Sequence, residues 1–562
     1  MAAPDFLYEM ERALMPWSGL LTGAFGVEVF STFQRQAYLR SEVMTYMAGA
    51  GLVGLVLWWT LTDRYWLIGA AWAGCFASGL LLACIWYRNG AQWFDGVKAR
   101  WTLSSNLTRK SLTDVRHLGD MLPPSREDAD NRRFYTNDQF FMGIGEDHSP
   151  LYWSGRLPHM AVVGFSGSGK GRKLQDLAAQ ALLMGEAVIY LDPKDDEWAP
   201  HALYEACRAA QRRHCFLSLH PTAPAQFNLL DGLAAWQCEE LLIAGLNLTD
   251  KGRGSDFYAA KNRAAAREAA RLVASEKLTL AEVYDRLTGD AYWLEEAPGF
   301  LDRLGELARI RAINGKPSFG DEGFTLQRVI DEGWGLYVVG SMTIPAVRRI
   351  QQMIFVRAQQ IAMARDRIAG TPRTICVIAD ETRYHLSQPI VDGLAASRDK
   401  GMRVVLAFQS FTDLRDCPAD MDPESVMNTV MANTPAKLIY KLDDPETAEW
   451  AAKKSGTILI ESETKELERN AALAEIMQGK RTVREGEDYL ISTNVLQNMT
   501  SGWGVLFGDG LAKLCHVSPY RVEKRCEAVT PHAITEPAHL VDEAEMASNH
   551  RRSGDHFFAL ED

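Results

Sequence analysis

The stretch Gly164-Phe165-Ser166-Gly167-Ser168-Gly169-Lys170-Gly171 follows an apolar run and opens a helical one, and reads as a phosphate-cradling loop. Gly164, Gly167 and Gly169 let backbone N–H groups converge on phosphate oxygens. Lys170 is placed to reach the β/γ oxygens, and the next helix lends its positive end. The loop therefore implies a nucleoside triphosphate, ATP, together with Mg²⁺. One position departs from the usual pattern: Gly171 stands where a Ser or Thr hydroxyl ordinarily ligates the metal. The metal would then rely on water, nucleotide oxygens and a second acidic motif. The run beginning at Thr374 ends in Asp380-Glu381 and offers that motif. Asp380 is expected to hold Mg²⁺ through water, and Glu381 to polarise the attacking water as general base. Alone, such a carboxylate pair fits a solvated turn equally well; beside a phosphate loop it reads as its partner. Gln409, ending the run Arg403–Phe408, is a candidate γ-phosphate sensor. Arg398 precedes that run and fits two readings, an arginine finger entering a neighbouring subunit's site or a surface residue paired near Asp399 and Lys400.

These groups can meet only if strands deliver them to one edge. Six short apolar runs alternate with longer helical stretches: Met160–Val163, Ala187–Asp192, Gly335–Gly340, Thr374–Asp380, Arg403–Phe408 and Lys437–Leu442. Continuous apolar strands separated by helices predict a parallel sheet covered on both faces. From Asp231 to about Gly323 the alternation stops. Tyr258–Lys277 there is rich in Ala, Glu, Lys and Arg, all good helix formers. Arg263, Arg267 and Arg271 recur at four-residue spacing on one face, which suits either DNA phosphates or plain solvent. The predicted fold class is α/β, a RecA-like parallel-sheet P-loop NTPase with an inserted all-α domain and an N-terminal two-helix transmembrane hairpin.

The hairpin rests on Val43–Leu61 and Trp66–Tyr87, two charge-free runs joined by Thr62-Asp63-Arg64. The shorter would span roughly 28 Å as a helix, enough for a bilayer core. Tryptophans and tyrosines gather at the ends, and basic residues flank both outer sides, so both flanks are expected in the cytoplasm. The predicted organisation is an N-terminal segment (1–42), the hairpin (43–87), a juxtamembrane linker (88–132), a nucleotide-binding domain in two parts (133–230 and 324–526) around the all-α domain (231–323), and a flexible tail (527–562). With 562 residues, several domains are the expected arrangement. A net charge of -12 argues against a protein that coats nucleic acid, though not against a local basic channel. Nine cysteines without a CxxC pair fit reduced, buried thiols and no structural zinc.

Together these residues resemble the TraD/TraG family of type IV coupling proteins, the membrane-anchored ATPases of conjugation and type IV secretion. The resemblance covers the hairpin and most of Met142–Val522. His159-Met160, Asp192-Pro-Lys194-Asp-Asp196, Phe408-Gln409-Ser410, Asn433-Thr-Pro-Ala-Lys437 and Asp443-Asp-Pro-Glu-Thr-Ala448 look like family motifs, and the Gly-Lys-Gly loop ending looks like the TraG-type branch. Asp195 departs from it, since the family more often has Gly there. The resemblance implies a homohexameric ring at the bacterial inner membrane. Its implied partners are a relaxase and other relaxosome proteins, single- or double-stranded DNA, and components of the type IV secretion channel. Rival readings are another DNA translocase, a protein-only secretion receptor, or a nucleotide-gated membrane scaffold with little hydrolysis.

Overall fold

The computed structural model describes residues 77–78, 131–248, 256–316, 324–366, 368, 370, 372–419, 421–469 and 475–531. The expected hairpin, linker and tail lie almost wholly outside these residues. Among the described residues no helix is long and apolar enough to cross a membrane.

Thirteen strands are described: β1 Phe141–Gly145, β2 Pro150–Tyr152, β3 Met160–Val163, β4 Ala187–Asp192, β5 His214–Ser218, β6 Gly335–Val339, β7 Ile375–Ala379, β8 Met402–Phe408, β9 Ala436–Tyr440, β10 Thr457–Arg469, β11 Glu475–Tyr489, β12 Trp503–Phe507 and β13 Lys513–His516. Eleven form one sheet in the order β2-β1-β13-β12-β9-β3-β8-β7-β4-β6-β5, while β10 and β11 pair by themselves. From β9 to β5 every pairing is parallel. All six anticipated runs fall in this parallel part, with ends shifted by a residue or two. The sheet is nevertheless mixed, which corrects the all-parallel expectation. β12 runs antiparallel to β9 and to β13, and β1 runs antiparallel to β13 and to β2.

Every residue of β3, β4, β6, β7, β8 and β9 is buried, as strands covered on both faces must be. Their two-residue period divides the apolar interior. Ala161, Val163, Ile189, Leu191, Val377 and Ala379 face one core, to which helices between residues 235 and 308 also contribute. Met160, Val162, Val188, Tyr190, Cys376 and Ile378 face the other, with the helices Lys170–Leu183 and Ala199–Ala209. Because β3, β8, β7 and β4 are adjacent and parallel, their C-terminal ends share one edge. An open sheet of this kind gathers its ligands there.

Between residues 235 and 308 the described chain is helical: Ala235–Leu246, Asp256–Glu276, Leu280–Thr288, Ala291–Glu296 and Pro298–Ala308. On the second of these, Arg271 pairs with Glu268 at 2.7 Å and Arg267 approaches Glu239 at 3.9 Å. Both arginines are mostly exposed.

Candidate nucleotide site

β3 ends at Val163, and the backbone turns at once through Gly164 and Gly169, whose φ angles are 156° and 121°. At Gly164 a Cβ would lie 2.7 Å from both Ser168 Oγ and Tyr440 Cβ; at Gly169 it would meet the Tyr440 ring at 3.2 Å. Packing and backbone therefore both require glycine at these two positions. Phe165 and Ser166 are exposed at the loop tip, and Ser168 is buried with no hydrogen-bond partner for its hydroxyl. The loop is braced from three sides. Gly164 N donates to Phe408 O at 3.2 Å, Phe165 N to Lys441 O at 3.1 Å, and Gly502 N to Ser168 O at 2.9 Å. Ser501 Oγ adds a bond to Gly167 O at 3.1 Å.

The helix Lys170–Leu183 starts from Gly169 with no side-chain cap, so its first N–H groups remain open to an anion. Gly167 has free space where a Cβ would stand, and Lys170 Nζ, nearly buried, donates to the carbonyl of Gly164. A phosphate chain fits this donor set, with Gly164 to Lys170 around it and Lys170 as its cation. Gly171 also has open space at the missing Cβ, so packing does not compel the loss of a metal-binding hydroxyl.

That helix is anchored by a buried polar network. Lys173 and Asp176, both fully buried, pair at 2.7 Å, and Lys173 Nζ donates to Phe141 O at 2.7 Å. Tyr135 Oη and Asn131 Nδ2 donate to Asp176 Oδ1 at 2.6 and 3.3 Å. Gln180 Nε2 donates to Asp176 Oδ2 at 3.0 Å, and Gln180 Oε1 accepts from Phe141 N at 2.7 Å. The P-loop helix is thus tied to β1 by polar groups that satisfy one another.

Asp380 and Glu381 leave β7 on the same edge as the loop. Glu381 has φ 47°, an uncommon conformation for a residue with a side chain, and its N–H donates to Asp380 Oδ1 at 3.0 Å. Its carboxylate is buried and forms an ion pair with Lys194 Nζ; it also accepts from Gln409 Nε2 at 3.2 Å. Burial alone would raise the Glu381 carboxyl, but Lys194, Lys170 and Gln409 outweigh it and hold the group below its ordinary range. Burial also lowers Lys170, with Glu381 and Asp380 opposing that shift. Asp380 is pushed up to about 6, first by burial and then by Asp192 and Glu381, with Lys194 and Lys170 pulling the other way. His385, buried and held neutral, brings its Nε2 within 2.9 Å of the Asp380 carbonyl.

The Asp380 value fixes an expected pH dependence. A carboxyl raised above its ordinary 3.8 makes the native chain bind more protons than the unfolded one between about pH 4 and 6. Its contribution to stability is therefore present below about pH 4 and is lost as pH rises through about 6. With Asp380 as the metal ligand that the sequence leads one to expect, binding would need its ionised form, and nucleotide turnover is expected to fall below about pH 6, not below 4. The acid limb of kcat/KM, which reports the free protein, checks this.

Lys194 comes from the turn after β4. Asp192 is fully buried and accepts from Lys194 N at 2.8 Å, Asp196 N at 2.6 Å and Tyr337 Oη at 2.6 Å. Asp196 in turn caps the next helix, accepting from Trp198 N and Ala199 N. Asp195 sits at φ 58°, in the left-handed region where Gly is at ease and Asp is tolerated. The departure from the family's Gly is a backbone matter. Two other motifs are also structural. Lys437 Nζ donates to Met431 O at 2.9 Å and to the Thr434 carbonyl, closing the helix Pro423–Asn433. Asp444 accepts from Thr447 N at 3.0 Å and starts the helix Pro445–Ser455.

The edge thus brings together Gly164–Gly171, Asp380, Glu381 and Gln409. Arg398 is placed elsewhere. It lies in the last turn of the helix Gln388–Asp399, before the N-terminal end of β8, mostly exposed and 3.8 Å from Asp399. Residues missing from the sequence-based site are Lys194, Asp192, Tyr440 and the Ser501-Gly502 turn. Lys194 carried a signal, being two residues beyond a strand's end; Gly502 carried none.

Phosphate loop, acidic partner and strand order define a P-loop nucleotide-binding protein with a parallel-dominant sheet. Residues 375–501 match the family described as the TraM recognition site of TraD and TraG. The chain is 29% identical over 376 residues to Mobilization protein A of Escherichia coli, covering 64% of this chain and 66% of that protein. It spans, in other words, just under two thirds of that relative's length. The fold matches the bacterial conjugative coupling protein TrwBdeltaN70 in its unbound monoclinic form, with a TM-score of 0.50 and 15% identity over 67% of this chain and 88% of that one. The chain is thus similar to TraD and TraG over residues 375–501, and it shares the fold of a conjugative coupling protein.

Proposed function

We propose that this chain is an ATP-driven coupling motor that recruits relaxase-bound single-stranded DNA and delivers it to a type IV secretion channel. The observation carrying this reading is the meeting of Lys170, Asp380, Glu381 and Gln409 at one sheet edge. Gly164 to Lys170 cradle the phosphates, and Asp380 would hold Mg²⁺, which when bound would supply charge neutralisation on the phosphate oxygens. Glu381 takes a proton from the attacking water, and Gln409 orients the reacting group. The products are ADP and phosphate. The hexameric ring, the inner-membrane hairpin, relaxosome contacts and the role of Arg398 as a finger acting in a neighbouring subunit belong to the same proposal. The match to the TraM recognition site supports a relaxosome partner.

Gly171 favours one rival, a nucleotide-gated scaffold that hydrolyses poorly for want of a metal-binding hydroxyl. The two readings part in one assay. The motor predicts ATP hydrolysis stimulated by single-stranded DNA. In Lys170→Ala, removal of a charged hydrogen bond worth about 1.5–3 kcal/mol lowers ATP affinity about 10- to 100-fold. ATP binding by the unmodified chain without turnover, with or without DNA, would establish the scaffold instead.

A further inference from the structure

We propose that Lys194 is a positioning residue that holds Glu381 in a resting ion pair and moves to the terminal phosphate when a nucleoside triphosphate fills the loop. Glu381 is then released to the attacking water only in the triphosphate state. The inference rests on the ATPase reading above and assigns that site its trigger.

Three observations carry it. First, Lys194 is a second cation within the phosphate site. It interacts with Glu381, Asp380 and Asp192 on one side and repels Lys170 on the other. Second, its backbone is fixed while its side chain, held by the Glu381 ion pair, keeps access to solvent. Asp192 holds the N–H groups of Lys194 and Asp196, whereas the Lys194 side chain is one third exposed. Third, its partner is fully enclosed: Glu381 is buried and has Lys194 and Gln409 on its carboxylate. A carboxylate neutralised by an ammonium is a poor proton acceptor, so the pair as it stands suppresses the base. A terminal phosphate carries more negative charge than one carboxylate and competes for the same ammonium. A diphosphate, lacking that group, leaves the pair intact. With Gly171 offering no hydroxyl, a metal there would have one protein ligand fewer, and a second lysine adds positive charge to the same site.

The test compares the full chain with Lys194→Ala and Lys194→Arg. Equilibrium binding of a slowly hydrolysed ATP analogue and of ADP is measured alongside kcat and KM. Lys194→Ala is expected to lose about 10-fold in preference for the triphosphate over the diphosphate, as for one charge-assisted contact. It is also expected to lower kcat more than it changes the KM for ATP. Lys194→Arg, which keeps the charge, should recover most of both. A wild-type triphosphate preference in Lys194→Ala would overturn the inference, whatever its kcat. The ATPase reading fails separately, through absence of turnover in the unmodified chain, and the binding comparison still decides the role of Lys194 in that event.

Discussion

Replacing Glu381 by Gln is expected to lower ATP turnover by about 10²- to 10⁴-fold, the span that a positioned general base contributes. Gln keeps the size of the side chain and can still accept from Lys194 and donate to its surroundings, so the αL turn at φ 47° and the neighbouring 3₁₀ turn Thr382–Tyr384 should persist. Nucleotide affinity should therefore change only a few-fold, because Lys170 and the loop glycines are untouched. Single-turnover hydrolysis measured beside equilibrium ATP binding separates the two effects. Turnover above a tenth of the unmodified rate would assign the base to another group. The contrast with Lys170→Ala is instructive: that variant loses binding first, while Glu381→Gln binds and stalls. Asp380→Asn belongs with Glu381→Gln but should add a weakened dependence on Mg²⁺.

The second large effect lies away from the chemistry. Asp176→Ala is expected to destabilise the chain by about 3–5 kcal/mol, because it strands the buried Lys173 ammonium without its counter-charge. Tyr135, Asn131 and Gln180 lose an acceptor in the same step. The helix concerned begins at Lys170, so the loss should be felt in nucleotide affinity as well as in the denaturation midpoint. Lys173→Met combined with Asp176→Leu should recover much of the stability, since removing both charges removes the cost of burying either. An equally unstable double variant would show that hydrogen-bonded shape, and not charge balance, is what the network supplies. Both measurements need only denaturation curves, and they do not depend on the functional reading.

Much of this was legible along the chain. The spacing of Gly164, Gly167, Gly169 and Lys170 is local information, because a phosphate loop is a few consecutive residues whose glycines and lysine act together. The six central strands were legible for a similar reason: a strand buried on both faces is apolar at nearly every position, and such runs stand out even with a paired Asp192, Arg403 or Lys437 in them. β5 was not, since its ends are polar; β2 and β13 are short and partly exposed, and β1 and β12, though apolar, are broken by glycines.

What the sequence alone determined, then, is which groups could do chemistry: a phosphate loop without its hydroxyl, a carboxylate pair, a glutamine and a distant arginine. Which of them meet was decided by strand order. β3, β8, β7 and β4 are far apart in the chain but adjacent and parallel in the sheet, so Lys170, Gln409, Glu381 and Lys194 converge on one edge. Arg398 sits at the opposite end of β8 and does not join them. The Lys194–Glu381 pair, the bracing of the loop by Gly502 and the Lys173–Asp176 network have no local signature. Each depends on residues brought together by packing, where low dielectric and the need to satisfy buried polar groups fix their partners.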